Sequence, residues 1–352
     1  MKQKRNKNLC KKNNDECYTS TDDIYKELSQ WAALDKFRGK NIICPCDWDV
    51  ADYLHSIVIT YMDHGTEILG NYIHIDHSKV IPTLWQEELP VIRLNLQEDD
   101  LEDFLSNTRI CGFVKVLTQN AREWGIRSIT ASGYKPSEGK GIKFQEVDYS
   151  KYDICITNPP FSIYKDFSES IVGNIDFIVI APFLNRGHYS VGGYLMFRQA
   201  YLGFGVSRRM TFNNPTHAGT ISVNCDWITS FNEAQEIRDK NPPRSGCKYE
   251  GEYEVMQGMT MKDGTHPIRV GSADFPEDYE GWMFASLRIL ERISYKEYEW
   301  YLTHLPSYFN NNPNKNPFTH RISNEMYRRA DGSTGFSGIV FRKKPQDSPQ
   351  QP

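Results

Sequence analysis

Asp153-Ile154-Cys155-Ile156-Thr157-Asn158-Pro159-Pro160-Phe161 is the stretch that decides the fold. A short apolar run passes without a break into Asn-Pro-Pro-Phe. A continuous apolar run closed by turn residues reads as a strand covered on both faces, the kind found in parallel sheets. The two prolines fix φ and remove N–H donors, so the strand ends there. Working outward, Ser162 to Ile171 can be helical, and Asp176-Phe177-Ile178-Val179-Ile180-Ala181 is the next buried strand. Upstream, Tyr152 to Thr157 is preceded by a short strand at Phe144 to Val147 and a Pro/Gly/Lys turn from Lys135 to Gly141. Before these lie a strand at residues 127–131 and an amphipathic helix over 112–124 that ends at Gly125. Asn41-Ile42-Ile43-Cys44 is a strand closed by Pro45. Residues 21–36 place Ile24, Leu28, Trp31, Ala32 and Leu34 near helical spacing, with Thr21-Asp22 as the cap. Strands alternating with helices predict an α/β chain with a parallel sheet. Ligands of such sheets bind beyond the carboxyl ends of the strands. Two polar loops stand there, Pro45–Asp49 and Asn158–Phe161.

The residue types in Asn158-Pro159-Pro160-Phe161 fit methyl transfer to a planar nitrogen. An aromatic exocyclic amine is a poor nucleophile because its lone pair is delocalised into the ring. The Asn158 side-chain oxygen and the Pro159 carbonyl can each accept a hydrogen from the NH2 group. Both acceptors gain as nitrogen becomes cationic, so they favour the transition state over the ground state. Pro160 stiffens the loop and Phe161 offers a flat face for stacking. The bland alternative is a proline turn after a strand, with Asn as turn former. The motif specifies N-methylation of an amine or amide, not the polymer: related loops serve enzymes acting on RNA and on protein glutamine.

The N-terminal half supplies candidates for the methyl donor, S-adenosylmethionine. Tyr18-Thr19 precedes the first helix and can close over the donor's methionine part. Pro45-Cys46-Asp47 follows the first strand, with Asp47 able to accept from an ammonium group. The glycines usual in such a loop are absent. Asp148, with Tyr149 packed beside it, sits where the donor's adenine is commonly bound. After the second strand the ribose acid expected there is missing, leaving Ser132 or Tyr134.

With these residues in view, the chain resembles the EcoRI-type adenine-specific DNA methyltransferase family. The resemblance rests on Asp15-Glu16-Cys17-Tyr18-Thr19, Cys44-Pro45-Cys46-Asp47, residues 113–134, Asn158–Ser162, Trp227-Ile228-Thr229-Ser230-Phe231 and residues 275–283. It implies a Rossmann-like S-adenosylmethionine-dependent methyltransferase fold with an irregular C-terminal target-recognition lobe. The target it implies is adenine in double-stranded DNA, in a restriction–modification or phage setting. Residues 1–14 and 343–352 read as disordered tails. Residues 15–185 read as the methyltransferase core, with 50–112 an acidic insertion. Residues 186–342 read as the target-recognition lobe and the rest of the core. Two departures stand out: that insertion, and Met283-Phe284-Ala285-Ser286 without the proline expected after Met283.

An adenine inside a duplex must be flipped out to react, and phosphates must be held by cations. Arg186, Arg208, Arg209, Arg244 and Lys248 are the candidates, alongside Arg198, Arg238 and Lys240. The formal net charge of −4 over 352 residues means that any basic footprint is local. None of the eight cysteines forms a CxxC pair, and Cys44-Pro45-Cys46 is too tight for a zinc ribbon, so no metal is expected. No apolar run of 18 residues and no signal peptide is present, which predicts a cytoplasmic protein without membrane contact. A cognate restriction endonuclease would act separately. Two other readings remain: transfer to rRNA adenine or protein glutamine, and an inactive nucleic-acid-binding relative.

Overall fold

The computed structural model describes residues 18–47, 57–60, 112–132, 134–135, 140–213, 220–242, 247–303, 314, 316–319 and 338–345. The tail at 1–14, most of the tail at 343–352, nearly all of the 50–112 insertion and Arg244 lie outside the described residues. The chain divides into two units: 1–182 with 203–230, and 183–202 with 231–352.

The first unit runs through β1 (Tyr18–Thr19), α1 (Thr21–Ala33), β2 (Asn41–Cys44), β3 (Ile57–Thr60), α2 (Gly112–Trp124) and β4 (Ser128–Ala131). A small hairpin follows, β5 (Tyr134–Lys135) and β6 (Lys140–Gly141), then β7 (Ile154–Thr157), α3 (Tyr164–Ile171) and β8 (Asp176–Pro182). The chain then enters the second unit, leaves it after β9 (Tyr201–Leu202), and returns with β10 (Arg208–Asn213) and β11 (Thr220–Thr229). The strand order is β1-β10-β11-β8-β7-β2-β4-β3. The four central strands β8, β7, β2 and β4 are parallel. The flanking pairs are antiparallel.

All four residues of β7 are buried. A strand covered on both faces must be apolar on both, which is why Ile154 to Ile156 shows no alternation. Helices α1 and α2 supply cover. Ile24, Leu28 and Trp31 are fully buried on one face of α1, and Phe113, Leu117 and Ala121 on one face of α2. Each large apolar side chain so buried contributes about 1.5–3 kcal/mol. The rings of Tyr25 and Trp124 stack at 6.0 Å, joining the two helices.

Three local expectations need correction. The first helix ends at Ala33 rather than residue 36, and Ser20 precedes it, giving no side-chain cap; the Ser20 carbonyl accepts the Asp23 and Ile24 N–H groups. Phe144–Glu146 is a 3-10 turn, not a strand. The Glu146 carboxylate accepts the Lys143 N–H at 3.3 Å and closes that turn, while Phe144 packs edge-on against Phe167 at 5.4 Å. The segment after the Asn-Pro-Pro-Phe motif starts as a 3-10 turn, Phe161–Ile163, before α3.

The second unit contains α4 (Glu233–Lys240) and a sheet of β12 (Ile268–Arg269), β13 (Met283–Ser286), β14 (Tyr298–Leu302) and β15 (Gly338–Lys343), ordered β12-β13-β15-β14. Phe275, Tyr298 and Phe341 pack against one another in its core, with Phe275 edge-on to both partners. The described residues of the expected 186–342 lobe thus include paired strands where an irregular lobe was expected, since antiparallel strands pair across distances that local patterning does not encode. Among the described residues no helix is long and apolar enough to cross a membrane.

Candidate active site

The parallel strands are pinned at their amino ends by two side chains in series, Asp153 and Asn41. The Asp153 carboxylate accepts the Asn41 backbone N–H at 2.7 Å and the Asn41 amide at 3.1 Å. The Asn41 side-chain oxygen in turn accepts the Ser128 hydroxyl at 2.6 Å. The starts of β7, β2 and β4 are therefore fixed together. After β2 the chain continues through β3 and α2 to β4, both strands lying on one side of β2, while β7 lies on the other. In open α/β sheets a reversal of this kind marks where ligands bind, beyond the carboxyl ends of the strands.

Three loops meet this edge. Thr157 ends β7 and leads into Asn158, which is half-buried; Pro159 is buried, and Phe161 is half-buried with its ring edge-on to Phe212 at 5.9 Å. The turn that follows uses the Pro160 carbonyl, which accepts the Ile163 N–H at 3.2 Å, and not that of Pro159. Cys44 ends β2, and Pro45, Cys46 and Asp47 follow, with Pro45 and Asp47 buried. Ala131 ends β4, and the Ser132 N–H donates to the Cys44 carbonyl at 3.0 Å.

The β2–β7 ladder pairs Ile42 with Ile154 and Ile43 with Cys155. Beyond it, the Cys46 N–H donates to the Thr157 hydroxyl oxygen at 3.3 Å. Thr157 is fully buried. This side chain, which sequence reasoning passed over, ties the Pro45–Asp47 loop to the Asn158 loop. A threonine closing an otherwise apolar strand is the signal that could have found it.

The thiols of Cys44, Cys46 and Cys155 are all pushed well up, in each case first by burial; Asp47 adds to all three, and neighbouring cysteines add to Cys44 and Cys155. They stay protonated and act as small neutral lining, not as nucleophiles. Burial also pushes the Tyr149 phenol up, with Cys155 and Cys46 adding to it. Its hydroxyl donates to the Phe144 carbonyl at 3.0 Å, so Tyr149 is held beside the thiols. Asp148 is exposed and caps its own turn: its carboxylate accepts the Ser150 hydroxyl at 2.6 Å and the Ser150 N–H at 3.2 Å. These bonds, the hydroxyl's foremost, hold the Asp148 carboxyl below its ordinary range.

Two hydroxyls test whether the edge suits a ligand. Thr19 Oγ1 and Ser132 Oγ are buried with no hydrogen-bond partner among the described residues. A buried hydroxyl without a partner is costly and rare, and a ligand or ordered water that completes it is one explanation. The Thr19 carbonyl also lies only 3.0 Å from where a β-carbon on Gly112 would stand, so α2 starts close against β1 with little room for a side chain there. Two unsatisfied hydroxyls and the Asp47 carboxylate suit a ligand with hydroxyls and an ammonium group, which S-adenosylmethionine carries. Tyr18 pairs through its backbone with Asn213 in β10. No group of three or more His, Cys, Asp and Glu side chains among the described residues is arranged to hold a metal.

The candidate DNA contacts divide. Arg208 and Arg209 are exposed on β10 of the first unit, and Lys248 is exposed in the second. Arg186 is a correction. It is completely buried in the second unit, with its guanidinium 2.7 Å from Glu291, donating to the Leu287 carbonyl at 3.2 Å and lying over the Phe183 ring. A cation enclosed in this way cannot meet a phosphate.

Sequence reasoning also missed Glu27. It is buried on the apolar face of α1, where it accepts the Trp31 indole N–H at 2.9 Å, the Phe204 N–H at 2.8 Å and the Gly205 N–H at 2.6 Å. The loop it holds is clamped from the other side by Trp227, which accepts the Gly203 N–H at 2.7 Å and donates to the Gly205 carbonyl at 2.9 Å. An acid in the middle of an apolar helical stripe was the visible signal.

Comparison with known proteins places this geometry in context. A family model described as adenine-specific methyltransferase EcoRI matches residues 5–239. The type II methyltransferase M.EcoRI of Escherichia coli is 22% identical over 311 residues, covering 82% of this chain and 86% of its own.

Proposed function

We propose, on the premise that the chain belongs to the EcoRI family of adenine-specific methyltransferases, that the sheet edge described above transfers a methyl group from S-adenosylmethionine to the N6 amine of a flipped-out adenine. The enzyme is an adenine-specific DNA methyltransferase of the restriction–modification kind. The observation that carries the site assignment is the meeting of the Asn158 loop and the Pro45–Asp47 loop at adjacent parallel strands, with Thr157 between them.

When bound, S-adenosylmethionine supplies a methyl group on a positively charged sulfur. Thr19 Oγ1 and Ser132 Oγ would satisfy its polar groups, and Asp47 its ammonium. Ser132 stands in for the missing ribose acid. Tyr149 and the three neutral thiols give the site an apolar wall. Asn158 and the Pro159 carbonyl accept the two N6 hydrogens of the adenine, holding the nitrogen lone pair towards the methyl. As charge develops on nitrogen these acceptors strengthen. Phe161, braced by Phe212, stacks on the base. The product amine gives its extra proton to water, so no strong base is required. Residues 186–342 contribute target recognition, and a partner endonuclease would act on the same sequence unmodified. The setting is cytoplasmic.

The test is transfer from tritiated S-adenosylmethionine to unmethylated genomic DNA, followed by nucleoside analysis. N6-methyladenine should appear with the native enzyme. Asn158→Ala should reduce it at least about 100-fold, the usual loss for one charge-stabilising partner, with cofactor binding little changed. Label in RNA or protein but not DNA would replace the substrate assignment. Native turnover in Asn158→Ala would overturn the site.

A further inference from the structure

We propose that β10 and β11 form a ribbon that reads DNA sequence through the major groove, with Arg209, Thr211, Ser222 and Asn224 as its reading face. This rests on the DNA reading above and adds the element that selects the site. β11 pairs with β8 only from Cys225, opposite Pro182, to Thr229, opposite Ile178. Residues 220–224, with their β10 partners at 209–213, therefore extend past the last residue of β8; β1 borders Phe212 and Asn213, which leaves 209–211 with 222–224 as the two-stranded stretch. β8 runs parallel to β7, with Thr157 opposite Val179. The overhang thus projects beyond β8 at the edge that carries Asn158. Five residues of strand reach roughly 16 Å.

The two faces of the overhang differ. Arg209 is paired with Asn224, and Thr211 with Ser222, and all four side chains are exposed on one face. Met210 and Phe212, on the opposite face, are buried. Phe212 meets the Phe161 ring edge-on at 5.9 Å. The ribbon thus rests its apolar face on the catalytic loop and turns its hydrogen-bonding face outward.

A two-stranded ribbon fits the major groove, and Arg and Asn are the side chains that pair in bidentate fashion with guanine and adenine edges there. Thr and Ser can donate or accept at either. The charge agrees: Arg208–Asn213 and residues 220–225 hold two arginines and no carboxylate, in a chain of net charge −4. A strand pair this polar on one face and without acids suits an anionic duplex.

The experiment maps every N6-methyladenine deposited on unmethylated genomic DNA by the native enzyme and by Arg209→Ala, Asn224→Ala and Arg209→Lys. Loss of a bidentate base contact should relax discrimination at one position of the modified sequence by about 10- to 100-fold. Arg209→Lys should behave like Arg209→Ala in selectivity, because it keeps the charge and loses the planar fork. If the variants modify the same sequences in the same proportions, whether at native rate or uniformly slower with a smaller salt dependence, the ribbon is a phosphate contact or a bystander and the proposal fails. Melting temperature and cofactor affinity accompany each variant. Should Arg209→Ala fail to fold, Asn224→Ala and Arg209→Lys carry the same decision. If the native enzyme labels no DNA at all, the functional reading falls instead, and that result is distinct from a shift in selectivity.

Discussion

Replacing Thr157 by valine keeps the shape of the side chain and removes one atom's chemistry. The lost atom is the acceptor of the Cys46 N–H at 3.3 Å, beyond the last rung of the β2–β7 ladder. A neutral bond of that kind contributes about 0.5–1.5 kcal/mol, and leaving an N–H enclosed without an acceptor costs about 1–3 kcal/mol. A stability loss near 1–2 kcal/mol follows, which in a domain of this size lowers Tm by about 2–8 °C. The larger effect is on position. With the tether gone, the Pro45–Asp47 loop and the Asn158 loop can separate, and a shift of about 1 Å costs roughly 100-fold in rate. A partial separation should lower kcat by about tenfold while KM for DNA stays near native. Single-turnover methyl transfer measures this, with cofactor affinity from calorimetry. Thr157→Ser retains the acceptor and should recover most of the rate. If valine turns over like the native enzyme, or serine is as slow as valine, Thr157 does not align the loops and the argument is wrong.

Two further predictions concern stability. Glu27→Gln keeps one acceptor oxygen but turns an NH2 group towards one of the three donors that the carboxylate serves, so a loss of about 1–3 kcal/mol is expected. Burial raises the Glu27 carboxyl above its ordinary value of 4.5. A raised acid favours the folded state most when protonated, so native stability from this group falls as pH rises through the raised value. The Tm gap between native and Glu27→Gln should widen as pH is lowered from 7 towards 4.5, and a gap that narrows contradicts the burial argument. Arg186→Ala should destabilise by about 3–5 kcal/mol, because Glu291 is left in a partly buried site without its cation. The salt dependence of DNA binding, measured at a temperature where the variant is folded, should match the native value; a reduced slope would return Arg186 to the DNA face.

The order of elements in the first unit is legible in the sequence because each depends on local pattern. The helix over 112–124 appears at those same residues, where apolar positions recur at helical spacing and Gly125 takes φ of +67° to end it. The strand into Asn158 was equally plain. Phe144 to Val147 misled because three or four residues cannot separate strand alternation from one 3-10 turn, and the Lys143–Glu146 contact that decides it is a side-chain matter. Arg186 looked like a free cation because its partner, Glu291, lies 105 residues away. The same distance effect hid the pairing of β11 with β8, which brings part of the expected recognition region into the catalytic sheet. At the site, the residues after β2, β4 and β7 could be picked out because strand ends are marked by loss of apolar pattern. That Thr19 and Ser132 would present buried, unsatisfied hydroxyls could not, since burial of a small polar side chain depends on what the rest of the chain packs around it.

The return of residues 203–230 to the first sheet has a consequence for how the protein is made. On the ribosome, β8 emerges with its β11 edge open, and the five residues from Phe177 to Ala181 are those buried in the finished sheet. Its partner arrives only after Thr229, at about 5–20 residues per second a wait of a few seconds. Throughout that interval an apolar edge strand stands open to any other nascent chain. A fragment stopped at Pro182 would stay in that state, so the catalytic sheet should not be separable as one continuous piece, and yield in the cell should depend on chaperone supply during that gap.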